Sequence, residues 1–175
     1  MKRFILLFAF VLAACGSDSG GSGGSKPKGS FVFEPASKPA GTAVTLRQKE
    51  LGKDRLVLEL VGHSLADLYG VAFRLSYDPA TLAFEKLEAS PAWPGSPPIA
   101  LGSAKTPGLL VGTVTEKGKA AGLSGGEVVI GTLTFALTRA KPGPIDFVAD
   151  RSALVATSGK RVSGVGWAGG ALVQK

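Results

Sequence analysis

Residues 69–77 read YGVAFRLSY, and this stretch decides the class of fold. Large apolar or aromatic side chains stand at every second position, and glycine, alanine, arginine and serine stand between them. The large side chains are Tyr69, Val71, Phe73, Leu75 and Tyr77. Because successive side chains of a strand point to opposite sides, the alternation predicts a strand with one side on a core and the other facing water.

The same alternation recurs before and after this stretch. Residues 55–60 place three leucines on one side. In residues 129–137 the predicted core side consists of Val129, Gly131, Leu133, Phe135 and Leu137. Ile130 then falls on the predicted solvent side together with Thr132 and Thr134. Alternation of this kind is typical of antiparallel sheets that cover a core with one face.

Turn residues divide the rest of the chain into similar short pieces. Glycine contributes 25 residues and proline 11, which favours strands joined by turns over long helices. Residues 91–98 hold four prolines and are predicted to form an exposed loop. The predicted strands are 42–49, 55–60, 69–77, 81–88, 109–116, 129–137, 145–149, 153–156 and pieces of 162–173. We therefore predict an all-β domain over residues 31–175, a roughly nine-stranded antiparallel β-sandwich with jelly-roll-like topology.

The N-terminus has the pattern of a secretory signal peptide. Lys2 and Arg3 precede an apolar run, residues 4–14, that is too short to span a bilayer of about 30 Å. Residues 12–15, LAAC, resemble a bacterial lipobox, in which small residues precede a cysteine that becomes the lipid-modified N-terminus. We predict a signal peptide over residues 1–14 and lipidation of Cys15. The alternative is an ordinary signal peptide with a chance cysteine.

Residues 15–30 are predicted to be a flexible tether. Eleven of the fifteen residues after Cys15 are glycine or serine. The segment therefore has too little apolar surface to offset the entropy lost on ordering. A flexible chain of this length has a root-mean-square reach of roughly 20 Å. Gly16 follows the cysteine where an aspartate would retain a lipoprotein in the inner membrane of enteric bacteria. We accordingly predict a lipid-anchored protein of the bacterial cell envelope, at the outer membrane or cell surface.

Composition excludes several classes of function. A single cysteine excludes an internal disulfide and any CxxC metal or redox site, and the single histidine, His63, leaves little room for a Ser–His–Asp triad. We assign His63 to a turn. The formal net charge is +7, but the basic residues are scattered and no nucleic-acid-binding motif accompanies them. We predict no nucleic-acid partner, no metal, no cofactor and no enzymatic activity.

Three stretches resemble the cohesin domain of bacterial cellulosomes. Residues 70–84, GVAFRLSYDPATLAF, resemble the cohesin sequence in which a strand, Tyr-Asp-Pro and a leucine precede the next strand. Residues 126–135, GEVVIGTLTF, resemble the late strand that follows a glycine turn and ends in phenylalanine. A third match is Ile145-Asp146-Phe147 followed by the predicted strand–turn–strand at Ser158-Gly159-Lys160. The resemblance implies a β-sandwich that binds rather than catalyses, since cohesins bind dockerin modules and related sandwiches bind polysaccharide.

Two sets of side chains are candidates for binding. Thr132 and Thr134, with Thr138 and possible neighbours Thr113 and Thr115, would offer hydroxyl groups on a flat sheet, although threonine is also common on solvated strands. Trp93 and Trp167 would stack on sugar rings, or else pack structurally. An enzymatic site would need paired carboxylates, for which Glu59, Glu85, Glu88, Glu116 and Glu127 are the candidates. All five are expected at solvent-facing or turn positions.

These observations lead to one functional prediction and one alternative. The chain is predicted to be a non-enzymatic, lipid-anchored extracytoplasmic module that binds a dockerin-like protein module or a polysaccharide, and contacts the membrane only through its N-terminal lipid. The alternative is a structural envelope lipoprotein whose sandwich serves the assembly of a larger cell-surface or secretion complex.

Overall fold

A computed structural model describes residues 31–139 and 141–175. The predicted signal peptide, Cys15 and the tether lie outside these residues. The described chain forms eleven strands and one 3-10 turn, Ala149–Arg151. The strands are β1 (Phe31–Pro35), β2 (Ala43–Leu51), β3 (Arg55–Tyr77), β4 (Leu82–Ala89), β5 (Ile99–Thr106), β6 (Leu109–Thr115), β7 (Leu123–Leu137), β8 (Gly143–Phe147), β9 (Ala153–Ala156), β10 (Gly166–Ala168) and β11 (Gly170–Gln174).

The 23-residue strand β3 belongs to both layers of the sandwich. Its first half pairs with β2 and β7, and its second half pairs with β6, β8 and β9. Between the halves, Ser64 and Asp67 have φ angles of 50° and 57°, and the register with β7 shifts between Leu65 and Leu68. The chain bends there because a left-handed residue and an irregular register increase local twist.

Two sheets follow from this bend. The front sheet comprises β5, β6, the second half of β3, β8, β9, β11 and β1. The back sheet comprises β4, β7, the first half of β3, β2 and β10. Pairings among the described strands are antiparallel except for the parallel pair β10–β2. The prediction of an all-β sandwich is confirmed.

The core lies between the inner sides of the two sheets. Tyr77 of the front sheet meets Phe135 of the back sheet edge to face, with ring centroids 5.3 Å apart. Phe73 and Phe135 are each no more than 1% exposed. The side chains predicted to share the core side of residues 69–77 are buried, apart from Tyr69, which is half-buried. Each large ring removes apolar surface from water, so these contacts dominate the energy that holds the sheets together.

A bulge in β7 reverses the core and solvent sides that the sequence predicted for Val129 and Ile130. Leu60 pairs with Gly131 and Val61 pairs with Val129, so Ile130 is the extra residue. Ile130 is fully buried in the core, whereas Val129 is only half-buried. The prediction that Ile130 faces solvent was therefore wrong. One inserted residue reverses the side of every position beyond it.

Strand boundaries also depart from the predicted set. Strands β1 and β5 were not predicted. The separate predicted strands 55–60 and 69–77 are one strand, and His63 lies inside it rather than in a turn. Residues 91–98 form a loop, as predicted, and Asp78 accepts a hydrogen bond from the Ala80 amide at 2.9 Å in the predicted turn after β3.

Candidate functional site

The hairpin of β5 and β6 forms one edge of the front sheet. Its two-residue turn is Pro107-Gly108, between the paired residues Thr106 and Leu109. Gly108 has a φ of 76°, a conformation that glycine adopts without a steric penalty. The hairpin thus places the outward side of β5 beside the outward side of β6.

Three large apolar side chains stand exposed on this hairpin. Leu101 is 62% exposed, Val111 45% and Ile99 41%, and they are the large hydrophobic side chains most open to water in the described chain. Leu101 lies opposite Thr113, which lies opposite Ala72 of β3. We call the outer surface formed by Ile99, Leu101, Val111, Thr113 and Ala72 the flat face. Contiguous exposed apolar groups of this kind mark interaction surfaces.

The flat face carries little charge. Its cross-strand neighbours are Ser103, Thr115, Gly70, Arg74, Ala153 and Val155, none of them acidic. Thr113 donates its hydroxyl hydrogen to the Val71 carbonyl at 2.9 Å. Because that hydroxyl is already bonded to the backbone, the threonine contributes contact area to the flat face rather than a free donor.

The threonines singled out from the sequence lie on both sheets. Thr132 and Thr134 are on β7 in the back sheet, where they pair with Glu59 and Val57. Thr134 is 3% exposed, and Thr132 is half-buried. Thr138 donates its hydroxyl hydrogen to the Ala80 carbonyl at 2.9 Å. The structure does not bring this group together with Thr113, which is on the front sheet.

Charged groups on the outer side of the back sheet pair with each other. Arg47 lies between Glu59 and Glu127, with N–O distances of 2.7 and 2.6 Å. His63 is buried beside them and its Nε2 lies 2.9 Å from the Thr45 hydroxyl. Burial lowers the pKa of His63 below its ordinary value. Glu127 opposes that shift, and Lys38 and Arg47 reinforce it. We call the group of Arg47, Glu59, Glu127, His63 and Thr45 the ion-pair cluster.

The two tryptophans line different clefts. Trp93 is 6% exposed, and its indole N–H donates to the Ile130 carbonyl at 2.7 Å. The Ser90 amide donates to the same carbonyl at 3.1 Å, so Ser90 and Trp93 together fasten the proline loop to β7. Trp167 is half-buried and packs against Phe147, with ring centroids 5.2 Å apart.

The five glutamates do not converge on one cleft. Glu59 and Glu127 share Arg47, Glu88 pairs with Lys86 at 2.9 Å, and Glu85 lies 3.9 Å from Arg55. Glu116 is 2% exposed, and its carboxylate oxygens have no hydrogen-bond partner among the described residues. The expectation of a solvent-facing or turn position was wrong for Glu116. It continues the inward series of Leu110, Gly112 and Val114, a signal that was present in the sequence.

Two features are absent from the described part of the chain. Within residues 31–139 and 141–175, no three histidine, cysteine, aspartate or glutamate side chains group closely enough to bind a metal ion. Over the same residues, no helix has the length and apolar character needed to cross a bilayer.

Comparison with known proteins defines the class of fold. No protein-family model matches the chain, and no curated protein matches it in sequence. Among solved structures, a cohesin from Clostridium acetobutylicum has a TM-score of 0.59 at 11% identity, covering 74% of this chain and 88% of that one. The sixth cohesin of scaffoldin B from Acetivibrio cellulolyticus, in complex with a Cel5 dockerin, has a TM-score of 0.57 at 11% identity, covering 74% and 95%.

An archaeal structure is also similar to the described chain. A non-cellulosomal cohesin from Archaeoglobus fulgidus has a TM-score of 0.53 at 11% identity, covering 80% of this chain and 88% of that one. The described domain therefore has the cohesin fold. The resemblance inferred from residues 70–84 and 126–135 is confirmed at the level of the fold.

Sequence reasoning missed the main residues of the flat face. Ile99 and Leu101 lie on β5, which was not predicted, and Val111 was placed on a strand without a neighbour. A signal was available, because Pro107-Gly108 stands between residues 99–106 and the predicted strand 109–116. Proline followed by glycine is the pattern of a type II turn, and it predicts a hairpin partner on its N-terminal side.

Proposed function

We propose that this chain is a non-enzymatic binding module, anchored by lipid outside the cytoplasm, whose flat face binds a dockerin-like protein module. The observation that carries the proposal is the clustering of Ile99, Leu101 and Val111, all more than 40% exposed, on one face of one sheet. Water-exposed apolar area that a partner covers contributes roughly 25 cal/mol per Å² to association.

The chemistry of the flat face favours a protein partner. Protein interfaces have an apolar centre depleted in charge and a polar rim. Leu101 and Val111 would form such a centre, with Ser103 and Arg74 at its margin. The cohesin fold supports the choice of partner, since one of the similar structures contains a dockerin.

Support for a non-enzymatic role comes from the state of the carboxylates. Four of the five candidate glutamates lie within 4 Å of a basic side chain, and Glu116 is buried. A pair of acids suited to glycoside hydrolysis would flank a cleft open to a sugar.

The anchor follows from the N-terminal sequence. Acylation of Cys15 would fasten the protein to a membrane, because each buried lipid methylene contributes roughly 0.8 kcal/mol. The glycine and serine residues that follow would let the sandwich stand off the lipid surface and present the flat face.

Partner capture by matched variants tests the binding face. The full-length chain and two variants are incubated with the secreted and surface proteins of the organism, and with dockerin modules. Leu101→Asp puts a charge at the centre of the flat face, and Ala83→Asp puts the same charge at an exposed position of β4 in the back sheet. We expect Leu101→Asp to lose the captured protein and Ala83→Asp to keep it. Equal capture of protein by both variants refutes the proposed binding face. So does recovery of the chain only within a stoichiometric membrane complex that Leu101→Asp leaves unchanged.

Labelling with radioactive palmitate tests the anchor separately. We expect the wild-type chain to incorporate label and Cys15→Ser to incorporate none, with the label partitioning into the membrane fraction. A wild-type chain that is processed but carries no label contradicts lipid anchoring. The proposal that the flat face binds a partner does not depend on this result.

A further inference from the structure

A cleft of about 390 Å³ lies beside β9 and β10. It adjoins the flat face, because its lining includes Ala153, which pairs with Ala72. Its walls include Ser152, Arg161, Ser163, Val165 and Trp167. We call it the Trp167 cleft. Its volume falls within the range of sites that bind small molecules, roughly 300–1,000 Å³.

Trp167 gives the cleft a rigid aromatic wall. Strand β10, which carries Trp167, pairs with β2, and the indole packs against Phe147 at 5.2 Å between ring centroids. The ring is only half-buried by these contacts, so part of it remains available to a ligand. An aromatic ring held in this way binds flat apolar surfaces with little loss of conformational entropy.

Arg161 supplies a cation at the same cleft. Its Nη2 donates to the Ser152 carbonyl at 2.7 Å, which fixes the position of the guanidinium. Arg47, Arg55 and Arg151 each lie within 4 Å of a carboxylate, whereas no described carboxylate lies that close to Arg161. Because a guanidinium has five N–H donors, the single bond to Ser152 leaves donors that a ligand carboxylate would accept from.

The loop that carries Arg161 is ordered by backbone hydrogen bonds. The Val162 amide donates to the Leu154 carbonyl at 2.9 Å, and the Gly166 amide donates to the Thr42 carbonyl at 2.9 Å. The Ala156 amide donates to the Lys160 carbonyl at 2.9 Å. These bonds fix both ends of the loop, so the charged and aromatic groups of the cleft are positioned before any ligand arrives.

We propose that the Trp167 cleft binds an acidic sugar unit, a pyranose ring that carries a carboxylate. The apolar face of the ring packs on Trp167, and the carboxylate accepts hydrogen bonds from Arg161. The exposed Ser163 hydroxyl lies on the wall beside apolar Val165, which suits a ligand with both hydroxyl groups and an apolar face. This site adjoins the flat face at Ala153, but its ligand is a sugar, so the inference goes beyond the proposed protein binding.

Nuclear magnetic resonance of the indole N–H groups locates the ligand. The full-length chain, labelled with 15N, is titrated with trigalacturonic acid and with its methyl ester, which keeps the rings but lacks the charges. Trp93 serves as an internal reference because its indole N–H is bonded to Ile130. We expect the acid to shift the Trp167 signal and leave the Trp93 signal in place, and the ester to bind at least about tenfold more weakly.

A charge-matched pair of variants identifies the cation. We expect Arg161→Gln to weaken binding of the acid about tenfold or more, since a hydrogen bond to a charged group is lost. Arg55→Gln, an equal change at an exposed residue of the back sheet, is expected to change the affinity less than about twofold.

Several outcomes overturn the proposal. They are an unshifted Trp167 signal, equal affinity for acid and ester, or equal weakening by Arg161→Gln and Arg55→Gln. The comparison of acid with ester needs no variant, so it decides the matter even if Arg161→Gln fails to fold. Ala153 lies between the cleft and the flat face, so protein capture through the flat face is measured separately, without the sugar present.

Discussion

The outer side of the back sheet and the flat face of the front sheet belong to the same sandwich, yet they expose different kinds of side chain to water. On the back sheet, Arg47 holds Glu59 and Glu127, so charged groups there already have partners. On the flat face, Leu101 and Val111 are exposed to water, and Arg74 is the charged residue among their paired neighbours. The difference indicates that the outer side of the back sheet is suited to remain in contact with water. The exposed apolar groups of the flat face would instead lower the free energy if another molecule covered them.

The largest expected effect compares the two sides of one sheet. Phe73→Ala removes a ring that is 1% exposed on the inner side of β3, and we expect a loss of about 3–5 kcal/mol in the free energy of unfolding. Leu101→Ala, on the outer side of β5, is expected to change it by less than about 0.5 kcal/mol. Urea denaturation followed by circular dichroism measures both. A large loss for Leu101→Ala means that the flat face belongs to the core and needs no partner.

A smaller effect tests how tightly the flat face is supported from beneath. An alanine methyl at Gly112 of β6 would overlap the ring of Phe73, so we expect Gly112→Ala to destabilise the fold by about 1–3 kcal/mol. Gly126→Ala in β7 meets nothing within 4 Å and serves as the control. Thermal unfolding of the two variants gives the comparison. Equal midpoints would show that the ring and the strand adjust without strain.

The ion-pair cluster is expected to contribute less than the core. Arg47→Ala leaves Glu59 and Glu127 without their shared cation, and we expect a loss of about 0.5–1 kcal/mol that shrinks at high salt. Lys86→Ala, which removes an exposed ion pair with a single glutamate, should lose less. Partner capture should be unaffected by either variant. Loss of capture in Arg47→Ala would move the binding site to the back sheet.

The smallest effect concerns pH. The folded protein holds the pKa of His63 below its ordinary value of 6.5, mainly because burial disfavours the charged ring. As the pH falls from about 7 to about 5, the unfolded chain binds a proton that the folded protein binds less readily, so stability falls. His63→Gln should lose less stability over the same range. Urea midpoints at each pH measure this difference, and parallel curves for the two proteins would contradict it.

Strand positions were largely predictable because alternation is local. The core side of residues 69–77 was correct from Val71 to Tyr77, since period two is set by neighbouring residues alone. Strand β1 was missed because its partner is β11, and Phe31 pairs with Gln174 at the far end of the chain. The bulge at Ile130 was missed for a related reason, since only the partner strand shows that one residue is extra.

The candidate site was predicted less completely than the fold. Trp167 was identified as a candidate, but Arg161 was not, because the two line one cleft only when the loop before β10 packs beside β9. The threonines were grouped by composition, and the structure places Thr134 and Thr113 on different sheets. Leu101 was overlooked because a single leucine cannot be assigned to a binding surface until the neighbours of its strand are known.

The sequence by itself determined where strands run, where turns interrupt them and which side of most strands faces the core, because these depend on residues a few positions apart. Tertiary structure alone decided which outward side chains share a surface. Leu101 and Ala72 are separated in sequence by the end of β3, all of β4 and the proline loop, and Thr113 lies between them in the sheet. Strand adjacency joins distant residues, so the charge and apolarity of a face become defined only when the chain has folded.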